Sequence, residues 1–341
     1  MNQTAQKIGK RDMGLRVGPL GLGSRAFLAP MAGISDLGMR RIAQRFGAGL
    51  VISEMVAAED FARGEVESRI RAEGVGLQIH AVQIAGCEPR SMAEAARLAE
   101  ASGAALVDIN MGCPSKRVTG GFAGSALMRD LDQAVALVRA TLSAVKIPVT
   151  LKMRLGWDER SINAAELARR AEAEGIAMLT VHGRTRCQFF TGKADWQAIR
   201  TVKESVSIPV VANGDCGSLE DAGAMLAASG ADAVMIGRAA LGRPWFVGEV
   251  AGFISQGSAR GVPSIELRLA AMLEHYETLL DLFGKGQGLR HARKHLAAFA
   301  KHADARDASH LRKRLVTSEN PEEVKSMLAD LFAGSPRAEA A

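Results

Sequence analysis

The sequence predicts a (β/α)8 TIM barrel, an α/β fold, followed by a small all-helical C-terminal domain. Three observations lead to this prediction. Short apolar runs rich in β-branched residues alternate eight times with helical segments, the alternation stops after Pro244, and the 341 residues exceed the roughly 250 that a barrel needs. We therefore divide the chain into a basic N-terminal tail (1–25), a barrel (26–245) and a helical domain (246–335).

The eight predicted strands are separated by single helical segments, so they should pair in parallel and close a barrel. An open doubly wound sheet is the alternative. Against it, no G-x-G-x-x-G motif follows the first strand and no P-loop motif is present. The strands are predicted at Ala26–Ala32, Gly49–Ser53, Ile79–Ile84, Leu106–Ile109, Pro148–Met153, Met178–His182, Ile208–Ala212 and Ala233–Ile236.

The composition is that of an ordinary globular protein, with 48% hydrophobic and 23% charged residues. No apolar run approaches the roughly 18 residues of a membrane span, and the N-terminus lacks a signal-peptide pattern, so we expect a cytoplasmic protein that does not bind membranes. Its four cysteines contain no C-x-x-C pair. We therefore expect neither a disulfide framework nor a metal site.

Positive charge is concentrated near the two ends of the chain. Residues 285–314 carry nine Lys or Arg against two Asp, a net charge of +7, and residues 1–25 carry +4, whereas the whole chain carries +6. The remainder is therefore mildly acidic. We interpret 285–314 as a surface for a polyanion, with a solvated helix face as the alternative. We interpret the N-terminal residues as a solvated tail, with contact to the polyanion as the alternative.

Helices with breaks near 283–288, 302–309 and 318–321 are predicted after Ser264. One of them should cover Leu289–Ala303, with a buried seam and a basic face outside it. The predicted seam comprises Leu289, Ala292, Leu296, Phe299 and Ala303, and the basic face comprises Arg290, Arg293, Lys294 and Lys301.

The active site of such a barrel forms at the carboxyl ends of the strands. All eight predicted strands end in polar or glycine-containing segments, which packing alone does not explain. In chain order these are Ala29–Gly33, Ser53–Met55, Gln83, Asn110–Pro114, Lys152–Arg154, His182–Thr185, Asn213–Asp215 and Gly237–Arg238.

The last two strand ends have the features of a phosphate site. Loops after strands 7 and 8 commonly bind phosphate in these barrels, Gly214 and Gly237 let backbone N–H groups approach oxygen, and Arg238 can bind it bidentately. A phosphorylated cofactor is therefore predicted. The alternative is ordinary turn glycines with a solvated arginine.

Three further side chains are candidates for chemistry. Lys152 would point into the mouth, where a buried ammonium needs negative charge, such as the pyrimidine edge of a reduced flavin; a Schiff-base lysine or a structural ion pair are the alternatives. His182 is either a core histidine or a ligand-binding one. Cys113, in a Gly-Cys-Pro turn, can serve as a general acid, although an inert buried thiol is the alternative. Cys87, Cys187 and Cys216 lack such a setting, and we interpret them as structural.

Together these segments resemble the tRNA-dihydrouridine synthase family, in its bacterial DusB-like branch, over about residues 26–330. The motifs DINMGCP and HGRTR are specific to that family. The matching segments are Leu28–Gly33, Val82–Gly86, Asp108–Pro114, Gly124–Leu127, Val149–Arg154, Val181–Arg186, Val211–Asp215, Met235–Pro244 and Ala292–His295.

The resemblance implies an enzyme that reduces tRNA uridines to dihydrouridine, with FMN as cofactor and NADPH as reductant. Separately, we expect a monomer. It implies that Cys113 is the catalytic acid and that Asn110 holds the target uracil, and we add Arg184 to the substrate contacts. The basic residues Arg290, Arg293 and Lys294 are predicted to contact tRNA. The implied FMN contacts are Pro30, Met31, Ala32, Gln83, Lys152, His182, Asn213, Gly214, Asp215, Gly237 and Arg238.

The chain departs from the family after the ARKH segment, where aromatic residues are usual and this sequence has Leu296–Phe299 (LAAF). RNA affinity should therefore depend more on charge than on stacking. Two rival interpretations are a flavin barrel acting on a free pyrimidine, which would have no use for the basic segment, and a flavin-free RNA-binding protein. Retention of Cys113, Lys152, His182 and Arg238 argues against the second.

Overall fold

The computed structural model describes residues 14–258, 261–302 and 308–333. A two-stranded hairpin, β1 and β2, precedes a sheet of nine parallel strands, β3–β11. The strands are β1 (Arg16–Val17), β2 (Leu20–Gly21), β3 (Ala26–Leu28), β4 (Leu50–Val51), β5 (Val56–Ala57), β6 (Ala81–Ala85), β7 (Leu106–Met111), β8 (Val149–Arg154), β9 (Met178–His182), β10 (Val210–Asn213) and β11 (Ala233–Ile236).

These strands confirm the predicted barrel. Neighbours run in the order β4-β3-β11-β10-β9-β8-β7-β6-β5, and a parallel bridge from Ile52 to Ala81 joins the end of β4 to β6 and closes the ring. Each of the eight predicted strands overlaps an observed one, and β6, β7, β8 and β10 extend one or two residues past the predicted ends. The short β5 was not predicted; it continues the line of β4 and pairs with the end of β6, Val56 opposite Ile84.

Ten helices of the described chain accompany the barrel, mostly between strands. They are α1 (Leu37–Arg45), α2 (Ala58–Ala62), α3 (Val66–Ala72), α4 (Pro89–Ala101), α5 (Lys116–Thr119), α6 (Leu131–Leu142), α7 (Ala164–Glu174), α8 (Trp196–Lys203), α9 (Leu219–Ser229) and α10 (Phe246–Gln256). No helix in the described part of the chain combines the length and the apolar character needed to cross a membrane.

The N-terminal hairpin corrects part of the predicted solvated tail. Val17 is 0% exposed and Leu22 is 2% exposed, and both pack with strand residues such as Phe27 and Leu106 at the amino-terminal end of the barrel. The reason is burial of apolar surface inside the barrel, which a charge pattern does not reveal. Residues 1–13 of the predicted tail lie outside the described residues.

The C-terminal domain consists of α11 (Ile265–His302), α12 (Ala308–Thr317) and α13 (Pro321–Ala333). The predicted break at 283–288 is present, because α11 contains a non-helical residue at Gly284. The domain has its own apolar core, formed by Trp245, Met272, Tyr276, Leu279, Leu289, Ala292, Leu296, Phe299, Ala300, Leu315, Val324, Met327, Leu328 and Leu331. Four predicted seam residues are thus buried together, and the fifth, Ala303, lies outside the described residues.

The domain boundary predicted at residue 246 is too early. Helix α10 contributes Phe246, Val247 and Val250 to the core between the strands and helices of the barrel, not to the core of the C-terminal domain. It therefore completes the barrel as the helix after β11, although Trp245, directly before it, packs into the core of the C-terminal domain.

A buried cluster joins the two domains. Asp36, at the start of α1, accepts a hydrogen bond from Met39 N at 3.0 Å and lies 2.9 Å and 3.0 Å from Nε2 of His275 in α11. His295 Nε2 lies 3.3 Å from its second oxygen. Burial alone would raise the pKa of Asp36, but the two imidazoles outweigh it and hold the pKa well below the usual value. Burial, with the neighbouring His275, lowers the pKa of His295 to about 4, so this ring is neutral at pH 7.

Replacing Asp36 with Ala should destabilise the protein by about 3–5 kcal/mol, because it removes a helix cap and leaves two buried imidazoles without their carboxylate. Asp130→Ala is the matched control, since Asp130 caps α6 through Gln133 N in an exposed setting, and it should cost only ~1 kcal/mol. Urea unfolding followed by circular dichroism measures both variants. Equal losses in the two variants would show that the cluster adds nothing beyond a cap.

Candidate active site

A chain of hydrogen bonds lines one side of the barrel mouth. The carboxylate of Asp108, which has no exposed surface, accepts from Thr150 Oγ1 and from Gln83 Nε2, both at 2.6 Å. Gln83 Oε1 in turn accepts from Asn110 Nδ2 at 2.8 Å. Burial raises the pKa of Asp108, although these hydrogen bonds and the charge of Lys152 oppose the rise. The network fixes the orientation of both amides.

Cys113 lies at the end of this chain. Its N–H donates to Asn110 Oδ1 at 2.9 Å, and its carbonyl accepts from Ser125 N at 3.1 Å and Ser125 Oγ at 2.7 Å. Gly124 packs against it with a φ of 59°, where a Cβ would lie 3.0 Å from the Cys113 carbonyl oxygen. The backbone on both sides of the half-buried thiol is therefore fixed at the mouth.

The other three cysteines lie in different surroundings. Burial raises the pKa of Cys216 to about 12 and also raises that of Cys87. Cys187 is exposed in the loop after β9, so its predicted structural role does not include core packing.

Lys152 extends from β8 into the mouth, where its Nζ donates to Asn213 Oδ1 at 3.1 Å. Asn213 is itself held by donation to Met235 O at 2.9 Å. Burial, followed by the nearby Arg154, lowers the pKa of Lys152 to about 8, although Asp108 and Cys113 oppose the change. A bound anion would stabilise the charged form of this amine.

His182 ends β9 and is buried next to several cations. Burial lowers its pKa to about 2, and the charges of Lys152, Arg154, Arg184 and Arg238 act in the same direction. The ring is therefore neutral at physiological pH. Arg184 Nη1 lies 3.4 Å from its Nε2, and since the guanidinium can only donate, the ring proton belongs on Nδ1.

Two residues at the mouth were given no role by the sequence reasoning. Arg154 donates from Nε to Gly112 O at 2.8 Å, and its guanidinium lies 5.5 Å from the ring centroid of Phe190. Phe190 is exposed, and the guanidinium of Arg238 lies 5.3 Å from the same ring. Arg154 could have been predicted as a site residue because it ends a strand. Phe190 lies in a loop, where no sequence pattern indicates that it is at the site.

Arg184 requires a correction. It was predicted to contact substrate, but it is 1% exposed, and all five of its N–H donors face protein atoms. They reach Thr191 O at 3.0 Å, Gly192 O at 2.6 Å, the two oxygens of Asp215 at 3.0 Å and 2.5 Å, and His182. The structure therefore places Arg184 behind the mouth, where it ties the loop after β9 to the loop after β10.

The predicted phosphate-site residues lie together at the ends of β10 and β11. Gly214 has a φ of 120°, which favours glycine, and a Cβ on Gly237 would find no atom nearer than Met31 Sδ at 3.7 Å. The side chain of Arg238 is 61% exposed and reaches Asp215 Oδ1 at 3.1 Å. Because this bond uses only an Nη2 hydrogen of a guanidinium that carries five N–H donors, Arg238 retains donors for an anion.

The loop after β3 brings the helical domain to the mouth. Of residues 30–32, the first two are half-buried and the third is exposed. The next residue, Gly33, donates its N–H to Glu54 Oε2 at 2.6 Å. A Cβ on Gly33 would lie only 2.5 Å from Lys294 Nζ. Lys294 is half-buried here, as is Arg293, whereas Arg290 is exposed.

Among the described residues, one group of His and acidic side chains has a geometry that could hold a metal ion. It is the interdomain cluster of Asp36, His275 and His295, and no such group occurs in the described part of the mouth.

The dihydrouridine synthase (Dus) family model matches residues 27–334 of this chain. A probable tRNA-dihydrouridine synthase of Rhizobium leguminosarum bv. phaseoli is 50% identical over 305 residues, covering 89% of this chain and 94% of that protein. A tRNA-dihydrouridine synthase B of Xanthomonas axonopodis pv. citri (strain 306) is 44% identical over 329 residues, covering 95% and 98%.

Solved structures show a similar fold at low sequence identity. Morphinone reductase in complex with tetrahydroNAD superposes with a TM-score of 0.51 at 17% identity, over 76% of this chain and 94% of that one. An old yellow enzyme homologue from Zymomonas mobilis gives 0.52 at 16% identity, over 76% and 96%. These likenesses support the barrel fold.

Replacing Arg184 with Met should destabilise the protein by about 2–4 kcal/mol, because Asp215 and two carbonyls lose buried donors. Arg170→Met is the control, since Arg170 pairs with Asp132 at the surface and should cost less than ~1 kcal/mol. Urea unfolding gives both values. A loss for Arg184→Met no larger than that of the control would mean that this buried pair does not hold the two loops.

Proposed function

This chain belongs to the dihydrouridine synthase family, and from that membership we propose that it reduces specific uridines of tRNA to 5,6-dihydrouridine, with FMN as cofactor and NADPH as reductant. The observation that carries the proposal is the chain of hydrogen bonds from Asp108 through Gln83 and Asn110 to Cys113. It fixes a thiol in the same mouth as Lys152, His182 and Arg238.

The residues of the mouth fit a flavin mononucleotide. Gly237 has no side chain of its own to cover its backbone, and Arg238 uses Nη2 for Asp215 but keeps its other N–H donors, which suits one phosphate. Lys152 offers an amine whose pKa of about 8 lets it bind or release a proton near neutral pH, and neutral His182 offers Nδ1–H as a donor. When reduced by NADPH, FMN supplies the hydride that uracil C6 receives.

The protein's own groups perform the rest of the proposed reaction. Cys113 donates a proton to uracil C5, which requires it to remain a thiol until the transfer. The Oδ1 of Asn110 accepts from the backbone of the cysteine turn, and one Nδ2 hydrogen is donated to Gln83. The second Nδ2 hydrogen remains for a uracil carbonyl. Lys152 would stabilise the negative charge at the pyrimidine edge of a reduced flavin.

The target base must leave the RNA stack to reach this mouth, at an unstacking cost of a few kcal/mol. The basic residues of α11 and α12 supply favourable phosphate contacts against that cost. Lys294 contacts the loop after β3, which contains three of the predicted FMN contacts. The basic face of α11 and this loop therefore form one continuous surface.

Cys113→Ala should separate the two half-reactions. The purified variant should release FMN, identified by its mass, and should oxidise NADPH at the normal rate, because only the proton donor is removed. Dihydrouridine formation, measured by mass spectrometry of tRNA nucleosides, should fall by about 100-fold or more. Cys187→Ala, at an exposed thiol, is the control and should keep both activities. An equal loss of NADPH oxidation in Cys113→Ala, or release of FAD instead of FMN, would contradict the assignment.

Replacing Arg290, Arg293 and Lys294 together with Gln should weaken tRNA binding and flatten its salt dependence. The slope of log K against log salt should change by up to about 0.7–0.9 for each phosphate that the variant no longer neutralises. The control replaces three exposed barrel arginines, Arg90, Arg97 and Arg169, with Gln and should leave the slope unchanged. Filter binding at several salt concentrations measures both. A wild-type slope in the α11 variant would place the RNA-binding surface elsewhere.

A further inference from the structure

A cleft of about 380 Å³ lies between α3 and the part of α11 on both sides of its break, within the ~300–1,000 Å³ range of small-molecule sites. Val66 and Glu67 line one side, and Phe283, Gln287, Arg290 and His291 line the other. The non-helical residue of α11, with φ 71° and ψ 165°, comes directly after Phe283. This break allows Phe283 to stack on His291, with ring centroids 4.2 Å apart and planes at 18°.

The cleft lies beside the barrel mouth. His291 and Arg290 precede Lys294 by one turn of α11, and Lys294 contacts Gly33 in the loop after β3. On the other wall, Arg71 of α3 lies 3.7 Å from the same Glu54 carboxylate that binds the Gly33 N–H. A strand of RNA that enters the mouth from the basic face therefore passes this cleft.

Its lining combines exposed apolar surface with unused polar groups. Val66 is 70% exposed at the edge of the cleft and offers apolar surface to a ligand. Phe283 and His291 both line the cleft, and each keeps the ring face that the other does not cover for stacking with a base; burial lowers the pKa of His291, which favours its neutral form. Arg290 is exposed and forms no ion pair within the described chain. A flat aromatic ligand carrying a phosphate satisfies all of these groups.

We propose that this cleft binds a second, unstacked nucleotide of the tRNA, a guanosine, while the target uridine occupies the barrel mouth; the proposal rests on the proposed function. The base stacks on the uncovered ring face of Phe283 or His291 and packs against Val66, and its phosphate lies at Arg290. This arrangement anchors the RNA beside the nucleotide that is extruded.

The choice of guanine comes from Glu67. Its Oε1 is held by Arg71 Nη2 at 2.5 Å, which orients the carboxylate at the cleft wall. A carboxylate only accepts hydrogen bonds, and guanine presents two adjacent donors, N1–H and N2–H, on its Watson–Crick edge. Uracil would instead bring carbonyl oxygens to either side of its one imino hydrogen, and these would face the carboxylate unfavourably.

Two matched aspartate substitutions test the cleft. Val66→Asp places a negative charge in it, whereas Val75→Asp makes the same change at a residue that is 64% exposed and lies beyond α3, outside the lining. Both sites are exposed, so folding should be unaffected. With full-length protein and a tRNA transcript, Val66→Asp should weaken binding by about fivefold or more relative to Val75→Asp. Its KM for tRNA should rise in proportion, with kcat at saturating tRNA unchanged.

A cross-linking experiment identifies the occupant. Transcripts carrying 6-thioguanosine at one position at a time are irradiated in complex with the full chain, and linked peptides are sequenced by mass spectrometry. At least one guanosine should link to the peptide that contains Phe283 and His291, and Val66→Asp should abolish that link. Equal tRNA binding by the two aspartate variants, or the absence of any such link, overturns the proposal.

The outcomes for the cleft and for the proposed function are distinguishable. If the wild-type protein forms no dihydrouridine but the cross-link and the difference between Val66→Asp and Val75→Asp persist, the cleft stands and the reaction does not. If dihydrouridine forms normally while both aspartate variants bind tRNA equally, the reaction stands and the cleft proposal is overturned.

Discussion

Parallel pairing in a closed barrel brings the carboxyl ends of the strands to one rim, and the polar side chains there are largely buried, so each needs a partner inside the protein. Asp108 shows how strongly this constraint acts. A carboxylate without exposed surface is tolerated because Thr150 and Gln83 both donate to it. The same bonds orient Gln83, then Asn110, then the backbone of Cys113, so the position of the thiol follows from the need to satisfy one buried acid.

The helical domain depends on the barrel in a similar way. One loop, residues 29–36, contains the predicted cofactor contacts at its start, the glycine that Lys294 approaches in its middle, and Asp36 at its end. Helix α11 therefore contacts this loop at two positions, Gly33 and Asp36. A displacement of the helical domain would therefore move the predicted cofactor contacts, because these contacts and the contacts with α11 lie in the same loop, residues 29–36.

Much of this arrangement could be predicted from the sequence, because periodic patterns report burial. The eight barrel strands, the break near Gly284 and the buried seam from Leu289 to Phe299 all follow from spacing. Strand-end positions also brought Cys113, Lys152, His182 and Arg238 to one mouth. Contacts between residues far apart in the chain could not be predicted from the sequence. Asp36 contacts His275, which is 239 positions away, and Arg184 binds Asp215, which is 31 positions away. The role of Arg184 was mistaken for this reason, since an arginine at a strand end has the same pattern whether it faces a ligand or a carboxylate.

The short hairpin before the first barrel strand has a consequence for the order of events. With Val17 and Leu22 packed into the amino-terminal end of the barrel, apolar side chains fill that end, and the candidate site lies at the opposite, carboxyl-terminal end. On the proposed reaction, a nicotinamide and a nucleobase must each reach the same flavin at the carboxyl-terminal end. Both would approach from the same end of the barrel, so on that reaction they bind in turn, which gives double-displacement kinetics.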